Sequence, residues 1–95
     1  MNSKPSFGPV RDNPARQRFE MQVEDELAFV TYRRSPGVVN LLHAEVPMRF
    51  EGRGYGSALA KGTLDLLRAE GCKVIPSCSF IDAYIRRHPD YRDLL

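Results

Sequence analysis

The segment Glu51-Gly52-Arg53-Gly54-Tyr55-Gly56 carries three glycines at alternate positions, between a strand pattern that stops at Pro47 and a helical pattern that runs to about Glu70. Glycines so spaced let the backbone approach a ligand without Cβ clashes. The first-turn N–H groups of the following helix have no acceptor within it, and the helix dipole is positive at that end. A phosphate or pyrophosphate fits such a turn. A plain tight connection between strand and helix fits it as well.

Two further places hold reactive side chains. His43 and Glu45 stand two residues apart near the end of the strand that precedes the glycine turn, so an unbroken period of two puts them on one face. Pro47 has no N–H to continue a ladder, so pairing should open there and leave backbone groups to a ligand. The pair could do acid–base work; a satisfied histidine and a solvated carboxylate are the alternatives. Cys78 falls at the start of a second helix, where the dipole favours a thiolate. It reads equally as a small buried apolar residue. Cys72, at a strand start, reads as packing.

The elements that must position these groups follow from periodicity. Residues 1–15 hold Pro5, Gly8, Pro9 and Pro14 among polar residues and read as a mobile or loosely docked N-terminal arm. Residues 16–95 read as a single domain. Phe19, Met21 and Val23 alternate with polar residues, and after the acidic turn Glu24-Asp25-Glu26 a second alternating run spans Leu27 to Tyr32, which predicts a hairpin. Ser35-Pro36-Gly37 makes the next turn, and Val38 to Val46 the third strand. The helix after the glycine turn buries Tyr55, Leu59, Leu64, Leu66 and Leu67, keeps Lys61, Asp65 and Arg68 wet, and stops at Gly71, with Gly62 permitting a close approach. Cys72 to Pro76 is a short strand, parallel to the third by the crossover rule. The second helix starts near Ser77 or Ser79, with Ser79 and Asp82 resembling a capping box, and ends before Pro89. Tyr91 and Leu94 fold back on the domain. The result is an α+β fold: an antiparallel meander of three strands, then strand, helix, strand, helix.

Bulk properties exclude several classes. The chain has 95 residues, a net charge of +2 and two cysteines without a CxxC pair, so neither a disulfide framework nor a zinc site is expected, and no metal. No apolar run nears the length that spans a bilayer, and no secretory leader is visible, so an intracellular, cytoplasmic protein is expected. Arg33, Arg34, Arg49, Arg53, Arg86 and Arg87 could form a basic surface for a protein or nucleic acid, yet the net charge is too small to argue for nucleic acid by itself.

Taken in order, four segments resemble the small GNAT-like subfamily of the acetyl-CoA-dependent N-acetyltransferase superfamily: His43-Ala44-Glu45-Val46-Pro47, the loop Glu51 to Gly56, Pro76-Ser77-Cys78-Ser79-Phe80, and His88-Pro89-Asp90-Tyr91. The upstream DNPARQRFE is similar to the subfamily's start, so the resemblance covers about Asp12 to Tyr91. It implies that the parallel pair is splayed, with acetyl-CoA as co-substrate between the third and fourth strands. Its pyrophosphate would rest on the amides of Arg53, Gly54, Tyr55, Gly56 and Ser57, and its thioester carbonyl on a backbone N–H near Val46. Glu45 or His43 would deprotonate the acceptor amine, which could belong to a protein lysine or N-terminus. Cys78 or Tyr84 would protonate the leaving thiolate, or Cys78 would itself carry the acetyl group. A CoA-binding module without catalysis is the alternative. Two positions depart from the family pattern. Glu51 stands where a glutamine or arginine is usual, which sets a carboxylate beside a pyrophosphate, and Ala44 stands where threonine is common. The chain also lacks the additional elements that shape an acceptor pocket in longer members, which implies an open site or one completed by a partner.

Overall fold

The computed structural model describes residues 7–95. Five strands form one sheet in the order β1-β2-β3-β4-β5: β1 Phe7–Asn13, β2 Arg18–Val23, β3 Glu26–Ser35, β4 Val38–Glu45 and β5 Lys73–Pro76. The first four pair antiparallel, and β5 pairs parallel with β4. Helix α1, Tyr55–Ala69, links β4 to β5, and α2, Ser79–Arg87, follows β5. A terminal 3-10 segment, Pro89–Leu94, returns Tyr91 and Leu94 to the core.

The alternation read from the sequence sets the core face. Phe19, Met21 and Val23 of β2, Ala28, Val30 and Tyr32 of β3, Val39 and Leu41 of β4 and Val74 of β5 are buried with the inner faces of both helices. The other sheet face carries the partly exposed Leu27, Leu42 and Ile75, and no element among the described residues covers it. α1 buries Tyr55, Leu59, Ala60, Thr63, Leu64 and Leu67, while Leu66 is only partly buried. No described helix is long and apolar enough to cross a membrane.

The N-terminal arm is corrected over its described part: Phe7–Asn13 is the edge strand β1, so the antiparallel meander has four strands, not three. Residues 1–6 lie outside the described residues. β1 escaped notice because an edge strand can hold proline and polar residues that a central strand cannot. Pro9 falls in the irregular stretch between the Phe7 and Val10 pairings. Asp12 accepts the Tyr32 hydroxyl at 2.6 Å and an Arg34 N–H at 2.9 Å, which ties the edge to β3.

The C-terminal segment is tied to α1 by a small polar group. The buried Tyr91 hydroxyl donates to Asp65 Oδ1 at 2.7 Å, and Lys61 Nζ donates to Oδ2 at 2.9 Å. Burial and then the Asp65 contact push the Tyr91 phenol up to about 12. For Asp65, burial acts upward, but the Lys61 and Tyr91 hydrogen bonds outweigh it and hold the carboxyl below its usual range. A raised phenol favours the protonated form in the fold. Its contribution is therefore complete below about pH 10 and disappears as pH climbs through about 12. The Asp65 contribution runs the opposite way, present above about pH 4 and lost as acid protonates the folded carboxylate. Tyr91→Phe is expected to flatten the alkaline loss of stability relative to wild type in urea titrations at about pH 9 and 11, the remaining slope coming from Tyr32, Tyr84 and Lys61, which are also raised. Equal slopes would show that this contact does not carry the alkaline sensitivity.

Candidate functional site

β4 is the strand on which the site turns. It pairs with β5 from Val38↔Lys73 to Leu41↔Pro76 and no further. Beyond Leu41 the two strands part: the Cys78 N–H donates to the Leu41 carbonyl at 2.8 Å, while Ala44 and Glu45 continue to pair with β3. A register shift falls at the same place, with Thr31 opposite His43 but Tyr32 opposite Leu41, so Leu42 is an extra residue in β4. Such a bulge bends the strand and breaks its alternation. Val39 and Leu41 face the core before it, Leu42 and His43 are both exposed, and Ala44 takes the inner side after it.

That shift decides where the candidate residues stand. Ala44 and Val46 line a cavity of about 340 Å³, while His43 and Glu45 alternate with them on the outer side. His43 Nε2 and Glu45 Oε1 lie 3.4 Å apart, as a period of two requires, with side chains about 60% exposed. The remaining walls come from the loop and the helix starts: Phe50, Glu51, Gly52 and Gly54 on one side, Tyr55, Gly56, Ser57 and Leu59 of α1 beneath, and Phe80 of α2 opposite.

Backbone geometry in the loop depends on glycine. Gly54 caps α1 with φ +85°, a left-handed conformation, and nothing lies within 4 Å of a Cβ built there. At Gly56 a Cβ would meet the Phe80 ring at 2.8 Å, so the ring of α2 closes directly on the α1 backbone. The first bond inside α1 runs from Ala58 N–H to Gly54 O at 3.1 Å, so the Gly56 and Ser57 amides receive no acceptor from the helix itself. These amides, the dipole and the glycine stretch of the wall, Gly52, Gly54 and Gly56, suit a phosphate group. Glu51 is the one acidic side chain in the wall. Arg53 is not in it; its guanidinium lies 5.9 Å from the Phe50 ring centre.

The other candidates are dispersed. Cys78 caps α2 without a side-chain capping bond, is buried, and is not among the residues that line the pocket. Its place at the cap replaces the expected Ser79–Asp82 box; Asp82 instead pairs with Arg86 at 2.8 Å. Tyr84 is not among the residues that line the pocket. It stacks on the His88 ring at 3.9 Å, packs against Tyr91, and feels Lys61 and Asp65, so it belongs to the C-terminal polar group. Burial raises its phenol, which further weakens it as a proton donor. The basic surface also loses members to internal pairs: Arg34 binds Asp12 and Glu70, Arg49 binds Asp25 and Glu26, and Arg86 binds Asp82.

Phe50, Leu59 and Phe80 escaped the sequence reading of the site. Phe50 carried one signal, a large apolar residue in an otherwise polar, glycine-rich turn, and it is buried.

Comparison with known proteins agrees with this architecture. Residues 18–94 match the family model described as GCN5-related N-acetyltransferase. Protein NATD1 of Mus musculus is 32% identical over 87 residues, covering 86% of this chain and 79% of its own. Protein NATD1 of Homo sapiens is 38% identical over 52 residues, 55% of this chain and 46% of its own, so that match spans about half of the relative. A solution structure from Staphylococcus aureus, described as GCN5-like, superposes with a TM-score of 0.68 at 25% identity, covering 98% of this chain and 89% of that one.

Proposed function

The chain belongs to the GCN5-related N-acetyltransferase family, and from that premise we propose that it binds acetyl-CoA in the pocket between the glycine turn and Phe80 and transfers the acetyl group to an amine. One observation carries the reading. β4 and β5 part where the bulge turns Ala44 and Val46 toward the cavity, beside the first-turn residues Gly56 and Ser57 of α1. Acetyl-CoA supplies the activated thioester. The amides of Gly54, Gly56 and Ser57 hold its diphosphate, and the Val46 N–H polarises the thioester carbonyl. On the outer face, Glu45 with His43 takes the proton of the attacking amine, directly or through water. A C–N bond forms, the C–S bond breaks, and Cys78 returns a proton to the departing sulfur. Tyr84 has no part in this scheme.

Calorimetric titration with CoA and acetyl-CoA tests the binding half, and release of free thiol that depends on an added amine tests the transfer. Saturable one-site binding is expected, and absence of binding at millimolar ligand would remove the proposal. Cys78→Ala is expected to lower turnover at least about tenfold while affinity stays within about twofold. Full activity in that variant would return Cys78 to a packing role. The outward orientation of His43 and Glu45 favours a second reading, a CoA-binding module without turnover; binding with no acetyl transfer to any amine would select it.

A further inference from the structure

We propose that Arg49, Asp25 and Glu26 form a latch that holds one wall of the pocket in its ligand-ready position, with Arg49 a positioning residue rather than a ligand contact. The proposal rests on the reading of that pocket as a CoA site. The wall is the turn Met48–Phe50, which lies between β4 and α1 and belongs to no strand pairing. Its own backbone bonds are two, Phe50 N–H to Pro47 O and Glu51 N–H to Met48 O. Side chains here point in opposite directions. Met48 is 83% exposed, whereas Phe50 is buried, lines the cavity and meets the Tyr55 ring edge-on at 5.7 Å.

Arg49 joins this turn to the rest of the sheet. Its guanidinium stands 4.5 Å from the Phe50 ring centre, donates through Nε to Glu26 and through Nη2 to Asp25. Those carboxylates sit at the β2–β3 turn, whose position is set by the Val23↔Glu26 pair. One side chain therefore ties this turn to the β2–β3 hairpin and also covers the Phe50 ring, which forms part of the pocket wall. Downstream, Gly52 and Gly54 have φ of +79° and +85°, conformations open to glycine at no steric cost; apart from the packing of Phe50, Arg49 is the side chain that ties the turn to the sheet. A wall ordered before the ligand arrives spares the ligand the cost of ordering it. The three charges are solvent-exposed, so the pairs add little to global stability and their variants should fold.

The latch makes a prediction opposite in sign to simple electrostatics. Removing two negative charges from the neighbourhood should tighten an anionic ligand if charge alone matters; if the carboxylates hold Arg49, it should weaken it. In Asp25→Asn with Glu26→Gln, CoA affinity measured by calorimetry is expected to fall about three- to tenfold. Amide hydrogen exchange over residues 47–57 is expected to rise, with Tm unchanged within about 2 °C. Arg49→Glu should show the same faster exchange, and adding Asp25→Lys and Glu26→Lys should restore protection by reversing the pair. Unaltered exchange in the turn, or an equal or tighter affinity for CoA in the double variant, overturns the latch. If the wild type itself binds no CoA, the site reading falls while the exchange comparison still decides whether the latch exists.

Discussion

Gly54→Asp is expected to weaken CoA binding by at least about a hundredfold while leaving the fold standing. The magnitude comes from charge: two unit charges about 4 Å apart repel by roughly 1 kcal/mol in water and roughly 4 at the dielectric of a protein surface, and a diphosphate presents more than one. Gly54 is the cap of α1 and a wall of the pocket, so an aspartate there faces the position assigned to the phosphates. The fold tolerates it for three reasons. Nothing lies within 4 Å of the new Cβ. Aspartate is among the few residues that adopt the left-handed conformation at modest cost. A carboxylate at a helix N-terminus is favourable to the helix. Calorimetry with CoA and a thermal melt of the same sample check both halves. Retained affinity would remove the glycine turn from the site, and a collapsed melt would mean that the loss of binding says nothing about phosphate.

Gly62→Val carries the largest expected effect on stability, a loss of about 2–4 kcal/mol, or roughly 10–20 °C in Tm. Helix propensity alone would favour replacing a mid-helix glycine. Packing opposes it: a Cβ on Gly62 would stand 2.3 Å from Val10 Cγ2 and 2.9 Å from Val10 Cβ. The second contact is close to the backbone, so rotating the Val10 side chain does not relieve it, and α1 or β1 has to move. Adding Val10→Ala to the variant should recover part of the loss by removing the methyl groups. Unchanged stability on Gly62→Val would mean that β1 packs on α1 less closely than 2.3 Å implies. Because β1 is an edge strand, the damage should begin there, with early loss of exchange protection in Phe7–Asn13 and later loss in β2–β4.

The features legible in the sequence were those set by local rules. The strand periods of Phe19–Val23 and Leu27–Tyr32, the stop at Pro47, the glycine turn, α1 ending by Gly71 and α2 ending before Pro89 all depend on side-chain alternation, missing N–H groups or positive φ, and each appeared where expected. The resemblance carried by four short segments, in order, identified the family from the same residues. The close approach expected at Gly62 was also legible, although not its partner, since Val10 lay in a stretch without a readable period.

Tertiary structure decided the rest. β1 is a strand because β2 offers it an edge and Asp12 finds Tyr32 and Arg34 across the fold; its own residues, with Gly8, Pro9 and three polar side chains among seven, specify little. The bulge at Leu42 reversed the facing of everything after it, so that Ala44 and Val46 line the pocket and the reactive pair His43 and Glu45 points outward. A period of two predicts that two residues share a face, and it cannot say which face once a residue has been inserted. Tyr84 packs on Tyr91 because α2 and the terminal segment converge there, and Phe50 and Phe80 line the same pocket although 30 residues separate them. The sequence by itself determined which elements form and to which family they belong, because these follow from interactions within a few residues. The membership and orientation of the site came only from the packing of elements distant in the chain, where one extra residue in a strand is enough to turn a side chain from the cavity to the solvent.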